Sequence, residues 1–113
     1  MLEIEDILQM LGITKSYKGY RRILLILQLA LKNESRLEAV TRELYMEAAT
    51  QLHCDWKALE HSLRTVIRRA RMTNPDFMQE MAGYRMSYYP VNSEFLAITV
   101  RYIQRMNSFS AQI

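Results

Sequence analysis

The sequence predicts an all-α fold of about six helices that contains a helix-turn-helix. Three observations carry that reading. Apolar residues recur at spacings of three and four along most of the chain, the period of helices packed on one side. Only three glycines and two prolines interrupt 113 residues, which leaves few breaks. The stretch "CDWKALEHSLRTVIRRARM", residues 54–72, opens on a good helix cap and follows another helical stretch across a three-residue turn. Its basic residues lie away from its apolar stripe. The length fits one domain, 1–113, with a modest core. Half of the residues are hydrophobic and 24% are charged, an ordinary globular composition rather than a disordered one. There is no internal repeat, low-complexity tract or linker.

The first helix covers about Leu2 to Leu11, with Leu2, Ile4, Ile7, Leu8 and Leu11 apolar and Gly12 as its C-terminal cap. The second begins near Ser16 or Tyr17 and runs to about Lys32. Apolar residues go nearly all the way round it from Ile23 to Leu31, as in a central, buried helix. Gly19 falls in its first turn, where it leaves room for another backbone to pack closely. "KNES" (32–35) breaks the chain, with Ser35 as N-cap and Glu38 as its capping-box partner. The third helix then spans roughly 36–52, and Leu37, Val40, Leu44, Ala48 and Leu52 mark its inner face.

"HCD" (53–55) is a tight turn, and Asp55 caps the fourth helix, which extends to about Met72. "TNP" ends it, because Pro75 disfavours a helical residue before it. Pro75 then opens a short fifth helix, about 75–82, closed by Gly83. "YRMSYYPV" (84–91) reads as a loop. Its tyrosines 84, 88 and 89, with Met81 and Met86, are expected to cover the core between the last two helices, the alternative being a sticky surface for a protein partner. Asn92 caps a last helix from about Ser93 to Met106, with Phe95, Ile98, Tyr102 and Met106 along one face. Leu25, Leu44, Leu63, Ile67, Phe95 and Ile98 are expected in one core.

Function is written most clearly on the fourth helix. At about 100° per residue, Trp56, Leu59, Leu63, Val66, Ile67 and Ala70 share one side. Lys57, His61, Arg64 and Arg68 form a second stripe on roughly the opposite side. The net charge is +3. Residues 53–72 hold five bases against two acids, so this segment carries all of that excess and the rest of the chain sums to zero. A local positive field of this kind is the usual footprint of a phosphate-backbone partner. In a helix-turn-helix the second helix enters the major groove, early residues reaching base edges and later ones phosphates. Arg64 would then fork onto a guanine, with Lys57 and His61 also near bases and Arg68, with Arg69 or Arg71, on the backbone. A solvated face accounts equally for the charge, since bases near a helix C-terminus oppose its macrodipole.

Other chemistry finds little footing. His53, Cys54 and Asp55 are consecutive, and a nucleophile–base pair is a matter of geometry, not adjacency. One cysteine and two histidines make no structural zinc set without carboxylates. There is no glycine-rich phosphate loop. No catalytic residue, metal or cofactor is expected. A single cysteine allows no intrachain disulfide. The acidic start "MLEIEDILQML" is unlike a signal peptide, and the longest apolar run, 23–31, is too short to span a bilayer. A soluble cytoplasmic protein without membrane partners is expected.

Several stretches, in order along the chain, give it a likeness. "ILQMLGI", "KGYRRILLILQLAL", "TRELYMEAATQL", "LEHSLRTVIRRA", "AGY" (82–84) and "NSEFLAITV" (92–100) together resemble the C-terminal effector domain of the master response regulator of sporulation initiation in endospore-forming bacteria. "NSEF" and "KGY" are the most specific pieces. The resemblance implies a six-helix DNA-binding domain that reads a short promoter box as one of two tandem copies. It further implies that the segment after the recognition helix touches the RNA polymerase sigma subunit. Carried over by position, the family's DNA contacts fall on Lys57, Ala58, Glu60, His61, Arg64 and Thr65, to which the stripe adds Arg68. Glu60 and Arg64 keep the family's residue types. The family typically has arginine where Ala58 and His61 stand, and histidine where Thr65 stands. The family's usual receiver domain has no counterpart before the first helix, so an effector without its own receiver is expected.

The reading is therefore a sequence-specific, duplex-DNA-binding transcription regulator of sporulation, working singly, as a homodimer or in tandem. The rival is a protein-interaction module that keeps the fold and pairs with a full-length regulator or the sigma subunit.

Overall fold

The computed structural model describes residues 1–111, with side chains to Ser108. Six α-helices follow one another: α1 (Ile4–Met10), α2 (Tyr20–Lys32), α3 (Met46–Leu52), α4 (Trp56–Thr73), α5 (Pro75–Ala82) and α6 (Asn92–Ala111). No strand occurs among the described residues. The all-α reading holds.

Local capping explains most boundaries. Glu3 and Asp6 form a reciprocal capping box at the start of α1, with Glu3 N–H donating to Asp6 Oδ2 at 2.9 Å. At its other end Gly12 has φ +80°, and Ile13 N–H reaches back to the Leu8 carbonyl at 2.8 Å, a Schellman closure. A Cβ on Gly12 would also stand 2.7 Å from Thr73 Cγ2. Asn74 Oδ1 accepts from Phe77 N–H at 3.2 Å, Pro75 takes the first position of α5, and Gly83 closes it at φ +80°.

Several expectations need correction. Helix α2 starts at Tyr20, not Ser16 or Tyr17, because residues 14–19 form successive turns instead (Tyr17 N–H to Thr14 O 2.8 Å, Tyr20 N–H to Tyr17 O 3.0 Å). Gly19 is the residue before its first turn, and its nearest neighbours are the Tyr17 ring and Ser62 Cβ at ordinary contact distances, not another backbone.

Ser35 is not a cap. Asn33 Oδ1 accepts from both Ser35 N–H (3.2 Å) and Ser35 Oγ (2.7 Å), and this starts a 3₁₀ segment, Glu34–Ala39, followed by a π-helical turn, Thr41–Tyr45, before α3. Glu38 is exposed and forms no capping box. Leu44 and Ala48 are buried as expected, with Leu37, Val40 and Leu52 at the margin.

The loop tyrosines do not cover the core. Met81 and Met86 do, at 1% and 5% exposure, while Tyr84, Tyr88 and Tyr89 stand out at 45–54%. Tyr84 Oη donates to Glu94 at 2.5 Å, and that carboxylate pushes the phenol up to about 12.

Finally, α6 presents Phe95, Leu96, Thr99, Val100, Tyr102 and Ile103 to the core, so that Ile98 is half-buried and Met106 exposed. Asn92 is the helix's first residue and not a residue ahead of it; its Nδ2 donates to Tyr45 Oη (3.0 Å) and to the Glu60 carbonyl (3.1 Å).

Helix α2 packs against α1, α3, α4 and α6, with Tyr20, Ile23, Ile26, Leu27 and Ala30 buried and Leu24, Leu25, Leu29 and Leu31 half-buried. Against it lie Ile7, Leu8 and Leu11 of the first helix region, Leu44 and Ala48, and the inner face of α4. Leu44, Leu63, Ile67 and Phe95 are fully or nearly fully buried as expected, and Leu25 and Ile98 lie at the edge of the same core.

Candidate nucleic-acid interface

The site is built on the hinge between α3 and α4. Helix α3 ends at His53, whose φ of 55° is left-handed, and Cys54 N–H returns to the Ala49 carbonyl at 3.0 Å. Asp55 is then extended, and its Oδ1 accepts from Lys57 N–H at 3.0 Å. The chain thus turns within residues 53–55 and starts α4 with its first-turn donors partly satisfied. A non-glycine residue in the left-handed region costs roughly 1–2 kcal/mol, partly offset by what glycine loses in the unfolded chain. His53→Gly is therefore expected to stabilise the protein by about 0.5–1 kcal/mol, read as a higher urea midpoint.

The two faces of α4 separate as the periodicity requires. Leu59, Leu63, Val66, Ile67 and Ala70 are buried, with Trp56 half-buried beside them. Lys57, His61, Arg64, Thr65 and Arg68 are exposed, while Ala58 and Glu60 are half-buried on the flanks of that stripe. The seven expected contact residues therefore lie on one outward sector, with Ala58 and Glu60 the least accessible.

Their partners differ. Arg64 Nη2 pairs with Glu60 Oε1 at 3.2 Å, one turn back. Thr65 Oγ1 donates to the His61 carbonyl at 3.1 Å, which occupies its hydroxyl proton. The side chains of Lys57, His61 and Arg68 make no hydrogen bond or ion pair among the described residues; Lys57 Nζ lies 5.9 Å from the Trp56 ring centre. Asn92 Nδ2 donates to the Tyr45 hydroxyl and to the Glu60 carbonyl, which fixes the start of α6 beside Glu60; burial pushes the Tyr45 phenol up.

Arg69 and Arg71 also have partners within the fold. Arg69 Nε donates to the Gly12 carbonyl at 2.9 Å and its guanidinium lies 5.1 Å from the Tyr17 ring centre. Arg71 Nη2 donates to the Met86 carbonyl at 3.1 Å, with the guanidinium 5.0 Å from the Tyr89 ring centre. They brace the α1–α2 connection and the 84–91 loop against α4. Both were candidates for backbone contact by charge alone, and only their tertiary partners reveal the other role.

A groove of about 720 Å³ runs along one flank of α4, between Arg64 and Arg68 on one wall and Val40, Tyr89, Val91 and Ser93 on the other.

Residues 4–103 match the family described as sporulation initiation factor Spo0A C-terminal. The chain belongs to this family. The Spo0A C-terminal family supplies DNA-binding effector domains that regulate transcription in sporulation, which is a regulatory and not an enzymatic role. The matched span takes in the whole helix-turn-helix and both segments braced by Arg69 and Arg71. No helix among the described residues is long and apolar enough to cross a membrane.

Proposed function

We propose that this domain, spanning 1–113, is a cytoplasmic, sequence-specific transcription regulator that lays α4 in the major groove of duplex DNA. One observation carries this reading. Of the bases on α4, Arg69 and Arg71 are tied to neighbouring segments, while Lys57, His61, Arg64 and Arg68 stand together on the face opposite the core, Arg64 paired only with Glu60 of the same helix. Bases needed only to oppose the macrodipole would cluster in the last turn, and Lys57 and His61 are at the other end.

The roles follow from reach. Arg64 presents a guanidinium fork suited to guanine O6 and N7. Glu60, already beside it, accepts from a cytosine amino group once Arg64 turns to its base. His61 and Thr65 face base edges, and Ala58 offers a methyl to thymine. Lys57, which its position in the sequence places near a base, is assigned with Arg68 to phosphates at the two ends of the stripe. The exposed Glu60–Arg64 pair is worth only about 0–1 kcal/mol, so exchanging it for a base contact costs little.

The test is a titration against mixed-sequence duplex at several salt concentrations. Log K is expected to fall linearly with log salt, with a slope of about −1.8 if α4 alone neutralises two phosphates and about −3.6 for four. Binding unaffected by salt would overturn a phosphate-led mode.

A second reading keeps the fold and gives the surface to a protein, either a full-length regulator or the polymerase sigma subunit. Exposed Tyr84, Tyr88, Tyr89 and Val91, on the segment after the recognition helix, favour it as a companion function. Homodimeric or tandem pairing on DNA is compatible with both.

A further inference from the structure

Helix α4 by itself brings only two unengaged bases, Lys57 and Arg68, to the places where phosphates would lie. A second group of bases stands beside it. Lys15, Lys18, Arg21 and Arg22 follow one another closely in sequence, and no acid occurs between Asp6 and Glu34. Lys15, Lys18 and Arg21 are exposed and form no ion pair among the described residues.

Their position relative to α4 is fixed by contacts. Arg22 Nη1 donates to Ser62 Oγ at 2.8 Å. Gly19 packs on Ser62, and Tyr17 lies under the Arg69 guanidinium, whose Nε holds the Gly12 carbonyl. These contacts seat residues 12–22 along one flank of α4, the flank that carries Ser62 and Arg69. On the helical wheel Thr65 and Ala58 lie between that flank and the centre of the outward stripe. A hollow of about 360 Å³ lined by Lys15, Lys18, Arg21, Leu52 and Cys54 separates the start of α2 from the α3–α4 turn.

The bases are also in the wrong place for α2 itself. The N-terminal end of a helix favours acids and disfavours cations. Here the first turn has no acid and no side-chain cap, and it carries Arg21 and Arg22 with Lys18 just ahead. An external anion beside these bases would relieve the charge placed against the dipole.

We propose that Lys18 and Arg21, assisted by Lys15, form a phosphate-gripping shoulder for the same duplex that α4 reads. The shoulder holds the backbone strand bordering the groove on the Thr65 side. It supplies the third and fourth neutralised phosphates and carries no sequence information. This contact rests on the DNA-binding reading given above.

The experiment uses the whole chain and compares Lys18→Ala, Arg21→Ala and the double variant with Lys32→Ala, an exposed base at the other end of α2. The double variant is expected to flatten the salt slope by about 1.8, so that the affinity lost between 50 and 200 mM salt shrinks about twelvefold. Base preference at every position of a selected site should stay as it was. Thermal stability should hold or rise, since charge opposing the dipole is removed. Lys32→Ala should leave the salt slope and the base preference unchanged. If alanine loosens the helix start, Lys18→Gln and Arg21→Gln keep the stems in place. Normal binding by the unmodified protein with an unaltered slope in the double variant would overturn the shoulder alone. A shift in base preference would overturn its purely backbone role. No duplex binding by the unmodified protein would overturn the proposed function, and the shoulder with it.

Discussion

Leu63→Ala is expected to destabilise the protein by about 2–5 kcal/mol. Leu63 is fully buried on the inner face of α4, in register with Leu59, Val66, Ile67 and Ala70. Its helix packs on α2, α3, α5 and α6, so no single neighbour can move in to fill the space. Truncation removes the transfer free energy of the lost methyl groups and adds the cost of the cavity. Domains of this size have a total stability of about 5–15 kcal/mol, so the loss is a large share of it. Urea unfolding followed by circular dichroism should show a lower midpoint with an unchanged slope. Thr65→Ala, two residues on and exposed, should stay within about 0.5 kcal/mol. Equal effects at the two positions would contradict the division of α4 into an inner and an outer face.

That division was legible from spacing because both stripes lie within one helix. Asp55, Pro75, Gly12 and Gly83 were legible for a similar reason, since a cap is decided by atoms within a few residues. Where two capping residues compete at close range the reading failed: Asn33 captures Ser35, and the helix expected at 36–52 becomes 3₁₀ and π turns before it settles into α3. The loop tyrosines were misplaced because hydrophobicity does not say which of several large residues turns inward; Met81 and Met86 took the core and left the phenols outside.

The outward basic face of α4 was legible in its centre and not at its edges. Charge counted along residues 53–72 finds the α4 stripe but does not show that Arg69 and Arg71, at its flanks, also tie down distant segments. Their partners, the Gly12 and Met86 carbonyls, lie 57 and 15 residues away. The same count sets the rest of the chain at zero, because the bases at 15–22 are cancelled by acids such as Glu3, Glu5 and Asp6 of α1. A field acts through space, not along the chain. Only the packing of Gly19 and Arg22 on Ser62 shows that Lys18 and Arg21 stand beside α4.

Arg64→Ala and Arg68→Ala are expected to fail in different ways. Both side chains are exposed on the same face one turn apart. Arg64 stands in the middle of the stripe, and its exposed pair with Glu60 at 3.2 Å is weak enough to be exchanged for a base. The planar guanidinium fork suits two parallel hydrogen bonds to guanine. Arg68 has no such partner and lies further along α4, where a helix in the groove is leaving the bases; a flexible cation there suits phosphate. Arg64→Ala should therefore remove roughly 1–3 kcal/mol of discrimination at one base pair, with a smaller loss on unrelated DNA. Arg64→Lys should not restore it, because a point charge cannot fork. Arg68→Ala should weaken all duplexes about equally and flatten the salt slope by about one unit; Arg68→Lys should recover most of that. The measurement is selection of a preferred site from random duplexes, then titration of all four variants against that site and a scrambled one. Loss of discrimination from Arg68→Ala and not from Arg64→Ala would reverse the assignment. If the unmodified protein selects no site, α4 does not read sequence, and the exposed tyrosines beside it become the leading guide to a protein partner.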